Sequence, residues 1–438
     1  MNTSRPNILY IVADDLGYAD LGCYGGRDAD AGPVSPVLDR LAANGMKFTQ
    51  GYANSPVCSP TRFAIITARY QYRLRGAAEE PISARSKSGL GLPPNHPTLP
   101  SLLRTAGYRT ALLGKWHLGH PPLYGPLKSG YDEFFGLLSG GVDYFTHCSL
   151  NGAHDLYQGE VERHEKGYLT DVLSQRAVDY VNRMAGSDQP FFLSLHYTAP
   201  HWPWESRDDA DVSRDLRGKL FHLDGGSVRT YQRMIQHMDE GIGWLVDALR
   251  ANGQLDNTLI VFTSDNGGER FSDNWPLVGG KMDLTEGGIR VPWIAHWPAV
   301  IAPGQVSAQH CLSMDWSATM LDAAGVASDP AYPLDGVSLL PVLRDATHTF
   351  SRDMYWRMNH RGQRALRQGD WKYLRVDDID YLFDLSADER ERANQAGREP
   401  ERLDAMRAAW EAWNQEMPLI PPDAVVGVGY TRADMPQR

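Results

Sequence analysis

Cysteine is scarce in this chain: four residues in 438, at Cys23, Cys58, Cys148 and Cys311. None belongs to a CxxC pair or to a Cys/His spacing that builds a zinc site, so free thiols are expected. Cys23, Cys148 and Cys311 read as small buried apolar residues. Positive charge is also in deficit, with 43 Lys and Arg against 54 Asp and Glu and a formal net charge of −11. That balance excludes broad nucleic-acid binding, which needs a basic footprint, and an anionic ligand must find a local cluster of positive groups. Long apolar runs are missing too. The first, Ile8 to Ala13, is too short for a signal-peptide core and runs straight into two aspartates, so it reads as a strand and the protein as cytoplasmic. No later stretch is long and apolar enough to span a membrane, and neither internal repeats nor low-complexity tracts occur.

What is present is an ordinary globular composition, 42% hydrophobic and 22% charged, on a chain long enough for a large core. Apolar runs such as "NILYIVADD", "RTALLGKWH", "PFFLSLHY" and "NTLIVFTSDNGG" alternate with helix-like segments. Strands buried on both faces read this way, and the alternation predicts an α/β fold with a mostly parallel sheet wrapped on both sides. Around Met234 to Leu249, Met234, Ile235, Met238, Ile242, Leu245, Val246 and Leu249 recur at three- and four-residue steps, and Asn252-Gly253 supplies a stop. This predicts a long helix packing by one face. Beyond "LDGVSLLPVL" shorter strands precede a helix "PERLDAMRAAWEAWNQEM". The reading is a catalytic unit over 1–345 and a smaller antiparallel-sheet subdomain over 346–438, with an extended tail after Met417. Three long irregular stretches, 74–97, 205–219 and 267–283, are candidate substrate-facing walls.

Asp14 and Asp15 follow one apolar run, and Asp265 and Asn266 follow another. Ligands of open α/β sheets bind at the carboxyl ends of strands, so the two pairs can converge. Three carboxylates and an amide oxygen form a hard ligand set, suited to Ca²⁺ or Mg²⁺ and not to zinc or copper. Taken singly, each pair is better read as a turn after a strand; the presence of both in one chain is what favours the ligand reading. In "SPVCSPTRFAIITARY", Ser59 as N-cap and Pro60 as first helical residue predict a helix start, with Cys58 at its N-terminus, where free N–H groups favour an anion. Arg62 sits where the helix dipole disfavours a cation, and so needs a negative partner from elsewhere. Lys115 and His117 end the "RTALL" strand on one side if the backbone stays extended, His201 follows "PFFLSLHY", and Lys281 lies in a glycine-rich loop. The Gly114-Lys115 pair lacks the spacing of a phosphate-binding P-loop.

With these residues in view the chain resembles the type I sulfatases, the arylsulfatase family of the alkaline-phosphatase-like superfamily. The resemblance rests on "NILYIVADDLGYADLGCYGG", the C-x-P-x-R core at Cys58, Pro60 and Arg62, "LLGKWHLG", "APHWPW", "IVFTSDNGG" and "GGKMDLTEGGIRVP", in the family's order. It implies that a formylglycine-generating enzyme oxidises Cys58 to formylglycine, whose hydrate is the nucleophile toward a sulfate monoester. It also implies that Asp14, Asp15, Asp265 and Asn266, with the formylglycine at 58, hold Ca²⁺, or Mg²⁺ in its place. Arg62 then holds the hydrate, and Lys115, His201 and Lys281 bind sulfate oxygens. His117 deprotonates the sulfated intermediate, Asp265 takes the nucleophile's proton, and His201 or Lys281 protonates the leaving group. Ala68 departs from the family's usual glycine after Thr67.

The resemblance leaves the substrate open between an aryl sulfate and a sulfated sugar. Tyr197, Trp202, Trp204, Trp275 and the "SGGVDYFTH" segment are candidates for the pocket wall, with core packing as the equal alternative. Two competing activities share the same residues: a phosphonate monoester or phosphodiester hydrolase on the same fold, and a metal-stabilised binding protein without catalysis.

Overall fold

A computed structural model of the chain describes residues 5–26, 32–74, 82, 90–149, 151–215 and 225–420. The tail beyond 420, most of the 74–97 stretch and the end of the 205–219 stretch lie outside these residues.

Five parallel strands form the centre of a ten-stranded mixed sheet, in the spatial order Thr258–Ser264, Asn7–Ala13, Phe191–His196, Arg109–Lys115, Glu133–Leu137. Trp293–His296 pairs antiparallel outside Thr258–Ser264, and the short hairpin Tyr157–Gln158 and Val161–Glu162 closes the other edge. The reason for the continuous apolar runs is visible in the central strand. Ile8, Tyr10 and Val12 point into one core, while Leu9, Ile11 and Ala13 point into a second core on the opposite face. The second core is covered by helices Leu169–Met184 and Val228–Ala251, the first by Leu99–Thr105 and Ser313–Ala323.

The long helix is as the periodicity predicts. All seven of its predicted apolar positions are buried, at about 1.5–3 kcal/mol each for full burial of such side chains. Ser227 caps it by accepting from the Thr230 N–H, and it ends at Asn252 before Gly253 at φ 68°. Among the described residues no helix is long and apolar enough to cross a membrane.

A four-stranded antiparallel meander, Asp353–Met358, Gln363–Gln368, Trp371–Val376 and Ile379–Asp384, carries the helix Pro400–Gln415. It shares a third core with the large unit, in which Trp356, Tyr373 and Leu382 pack with Tyr52, Val57 and Ala64. Fully buried Lys372 bonds Glu286 at 2.9 Å and Glu391 at 2.8 Å across this junction.

The helix that carries Cys58 starts earlier than expected. It spans Cys58–Thr67 with Val57 as N-cap, so Ser59 and Pro60 lie inside its first turn and the Ser59 hydroxyl accepts from the Ile82 N–H at 2.8 Å. A β-region Val57 suffices to start the helix, and the serine oxygen is left free for a neighbouring loop. Two of the three remaining cysteines also differ from expectation: Cys23 and Cys148 are half-buried, and Cys311 alone is fully enclosed.

Candidate active site

Register brings the two acidic pairs together. Asn7–Ala13 and Thr258–Ser264 are parallel neighbours with Ala13 opposite Ser264, so Asp14 and Asp265 leave the sheet side by side, and the Asp265 N–H bonds the Ala13 carbonyl at 3.1 Å. Asp15 turns back in the left-handed region at φ 62°, a conformation aspartate tolerates better than most residues. Its N–H donates to Asp265 Oδ1, and Asn266 Nδ2 donates to Asp15 Oδ1 at 2.7 Å.

Cys58, on the first turn of its helix, aims Sγ at this cluster, 3.4 Å from Asp14 Oδ1 and 3.9 Å from Asp15 Oδ1. Ligating atoms of Asp14, Asp15, Cys58 and Asp265 all lie within 4.8 Å of one another. Arg62, one turn further along the same helix, puts Nε and Nη2 on Asp265 Oδ2 at 3.0 and 2.8 Å, which is the negative partner its position demanded. Lys115 Nζ meets Asp14 Oδ2 at 2.5 Å, and Lys281 Nζ meets Asp15 Oδ2 at 2.6 Å. His201 Nε2 stands 3.5 Å from the same Asp15 oxygen. Every one of these residues is buried.

The electrostatics follow from that crowding. Burial pushes Asp15 up, yet Lys281, His201 and Lys115 outweigh it and hold this carboxyl well below the usual range. Burial and the nearby Asp14 raise Asp265 in spite of Arg62. Burial lifts the Cys58 thiol well above its ordinary value, so the side chain as cysteine is a protonated and poor nucleophile. Burial and then Lys281 lower His201 to about 3, and burial and then Lys115 lower His117.

These residues fit a divalent cation. Among the described residues Asn266 Oδ1 is buried without a hydrogen-bond partner while its Nδ2 is committed to Asp15 and Gly267, so the orphaned oxygen is held in place. An orphaned amide oxygen beside three converging carboxylates is a hard-oxygen ligand set with one member unsatisfied. Charge agrees: Asp14, Asp15 and Asp265 are balanced by Arg62, Lys115 and Lys281, so a divalent ion would leave a net positive pocket for an anion.

His117 reaches the site by a different path from the one expected. The strand ends at Lys115 and His117 takes φ 57°, so the two side chains do not alternate along an extended backbone. The imidazole Nε2–H donates to the Ile82 carbonyl at 2.6 Å, which leaves Nδ1 unprotonated, buried and without a partner among the described residues. Of the aromatic wall candidates, Tyr197 belongs to the core, its hydroxyl paired with Ser174 at 2.7 Å, and Trp204 packs against Phe271. Trp202 lies against His201 with ring centroids 4.4 Å apart, and Trp275 is half exposed beneath the Arg390 guanidinium.

Other contributors are not evident from the sequence alone. His196 Nδ1 contacts Arg62 Nη1 at 3.3 Å, and Glu269 Oε1 stands 3.8 Å from Lys281 Nζ. Glu269 follows Asn266 by three residues in "DNGGE", the one local signal that could have drawn attention to it. Gly140 and Gly141 butt against the two histidines: a Cβ on Gly140 would fall 2.7 Å from His117 Cε1, and one on Gly141 3.1 Å from His201 Cε1.

Comparison with known proteins points the same way. The sulfatase family profile matches residues 6–326, and the profile described as N-sulphoglucosamine sulphohydrolase, C-terminal, matches 280–409. The N-acetylgalactosamine-6-sulfatase of Sus scrofa is 34% identical over 378 residues, covering 81% of this chain and 69% of that one. Among solved structures, Ps i-CgsB aligns with a TM-score of 0.85 at 33% identity, covering 95% of this chain and 94% of that one. Its complex with k-i-k-neocarrahexaose aligns with a TM-score of 0.83 at 32% identity, over the same shares of each chain.

Proposed function

We propose a substrate class and a division of labour for a chain that belongs to the sulfatase family, and is therefore a sulfuric ester hydrolase that splits sulfate monoesters into alcohol and sulfate. The substrate class is a sulfated carbohydrate. Likeness to an N-acetylgalactosamine-6-sulfatase and to Ps i-CgsB, solved with k-i-k-neocarrahexaose, supports this reading. So does Trp202, whose ring beside His201 suits the apolar face of a sugar.

The observation that carries the mechanism is the Cys58 side chain at a helix N-terminus, facing the Asp14 and Asp15 carboxylates with Arg62 on the same helix face. Sγ stands where the oxygen of a formylglycine would stand. Cys58 is the residue we assign to conversion by a formylglycine-generating enzyme, and the hydrated aldehyde would supply the nucleophilic hydroxyl. Asp14, Asp15, Asp265 and Asn266 are the residues that would hold Ca²⁺, and the bound ion would supply fixed positive charge to the reacting oxygens.

The remaining residues bind, orient and move protons. Lys115 and Lys281 present positive groups to sulfate oxygens, where charge builds up during S–O cleavage, and His201 borders the same oxygens through Nε2. Arg62 is pinned by Asp265 and by the Lys115 carbonyl, so it acts as a rigid donor toward position 58. The unprotonated Nδ1 of His117 is the base. His201 Nδ1–H is committed to the Trp202 carbonyl at 2.5 Å, so Nε2 is the nitrogen that faces the ester; burial and Lys281 keep it unprotonated by itself, and the negative charge of a bound sulfate ester is what would let it hold a proton for the leaving oxygen, a role Lys281 shares by position.

Mass spectrometry of the Cys58 peptide, with turnover of 6-sulfated N-acetylgalactosamine, carrageenan oligosaccharides and an aryl sulfate, tests the reading. The expected result is a formylglycine mass at 58, highest kcat/KM on a sulfated sugar, and loss of all turnover in Cys58→Ala. An unmodified cysteine in fully active protein overturns the nucleophile, and preference for the aryl ester overturns the substrate class. Chelation should abolish turnover and Ca²⁺ should restore it.

A further inference from the structure

Three histidines line up outside this centre, on the segment that provides the Gly140–Gly141 wall. The segment folds on itself through the bridges Val142 to Ser149 and Cys148 to His154, then enters the edge hairpin of the large sheet. His154 and His164 come into stacked contact with ring centroids 4.2 Å apart, and His147 lies 6.3 Å from His154. Glu162 Oε1 is 3.1 Å from His164 Nε2. Ligating atoms of His154, Glu162 and His164 all fall within 4.8 Å of one another.

Two further details go beyond stacking. His154 Nε2–H donates to the Arg163 carbonyl at 3.0 Å, which fixes the tautomer and leaves the Nδ1 lone pair free, the usual arrangement of a metal-binding imidazole. His147 is fully buried, and among the described residues neither ring nitrogen has a hydrogen-bond partner of good geometry.

We propose that His154, Glu162 and His164, backed by His147, form a second metal site, for a late first-row divalent ion such as Zn²⁺, separate from the oxygen-rich centre at Asp14. Imidazoles with one carboxylate select such ions over Ca²⁺. Bonds of about 2.0–2.2 Å to a shared tetrahedral ion bring ligand atoms to about 3.4 Å from each other. Glu162 and His164 are exposed, which leaves their side chains room to rotate toward that spacing. The ion ties the edge hairpin to the 142–155 segment and braces Gly140 and Gly141 against His117 and His201.

Calorimetric titration of Zn²⁺ into the full chain held in excess Ca²⁺ tests this, with wild type, a His154→Ala/His164→Ala double variant and the exposed single variant His164→Ala. Wild type should take up one more equivalent of Zn²⁺ than the double variant. His164→Ala should bind that equivalent at least tenfold more weakly while melting like wild type when metal-free. Equal stoichiometry and affinity in wild type and His164→Ala overturns the site, as does absence of Zn²⁺ uptake by wild type.

Discussion

His117 shows how little space the chemistry leaves at a single residue. Its backbone is left-handed, its Nε2–H is committed to Ile82, and its ring edge touches Gly140. Gly140 has no need of a positive φ, so its lack of a side chain serves the histidine and not the turn. Gly140→Ala would place a methyl 2.7 Å from His117 Cε1, closer than carbon atoms approach, and the imidazole must swing away. We expect kcat to fall on the order of 10²-fold, the penalty typical of misplacing a reacting group by about 1 Å, with KM and the melting temperature little changed. Steady-state kinetics and a melting curve check this.

Among elements, the joint between the 139–149 wall and the turn after Phe191–His196 is a buried carboxyl pair. Asp143 accepts from the Phe145 and Thr146 N–H groups and from Ser213 Oγ, whereas among the described residues Glu205 accepts from the Tyr144 N–H and its Oε1 finds no donor. Burial first, and then the adjacent Asp143, raise Glu205 to about 9, so Glu205 is protonated at neutral pH. The sign follows from proton counting. Between the unfolded glutamate value near 4.3 and about 9 the folded chain binds one proton more than the unfolded chain. This contribution is therefore complete below the unfolded pKa and is lost as pH rises toward 9, with a slope of at most about 1.4 kcal/mol per pH unit. Glu205→Gln keeps a donor toward Asp143 without the titration. Its unfolding free energy, measured by urea denaturation from pH 5 to 9, should lack that part of the wild-type decline.

Element boundaries were readable where the cause is local. The Val228–Ala251 helix was explicit in its apolar spacing and its Asn-Gly stop. The start of the Cys58–Thr67 helix was not, because Ser59 has the right chemistry for a cap but gives its oxygen to Ile82, a residue supplied by a distant loop. Tyr197 was likewise ambiguous: an aromatic after a strand suits a wall or a core, and its partner Ser174 lies on a helix the local sequence does not specify.

Across the whole molecule, the meander and the large sheet are joined by charge inside a dry core. Lys372 is enclosed between Glu286 and Glu391, with Arg367 Nη1 3.6 Å from Glu286. Burial raises Glu391 to about 7, against the pull of Lys372. Lys372→Met removes the cation and leaves two carboxyl groups facing each other in the interior, at a cost of roughly 3–5 kcal/mol. Because protonation relieves that repulsion, the loss should be smaller at pH 5 than at pH 8, and denaturant titrations at the two values measure the difference.

Composition and local pattern by themselves determined the α/β class, the long helix, the C-terminal meander and the types of residue that carry the chemistry, since burial on two faces and helical periodicity are written in neighbouring residues. Which of those residues meet was decided by tertiary structure. Ala13 opposite Ser264 aligns two acidic pairs 250 positions apart, Arg62 finds Asp265 instead of a partner in its own helix, and His117 takes its tautomer from a loop carbonyl. Strand register and loop closure set those distances, and both depend on packing across the whole sheet, not on the spacing of residues along the chain.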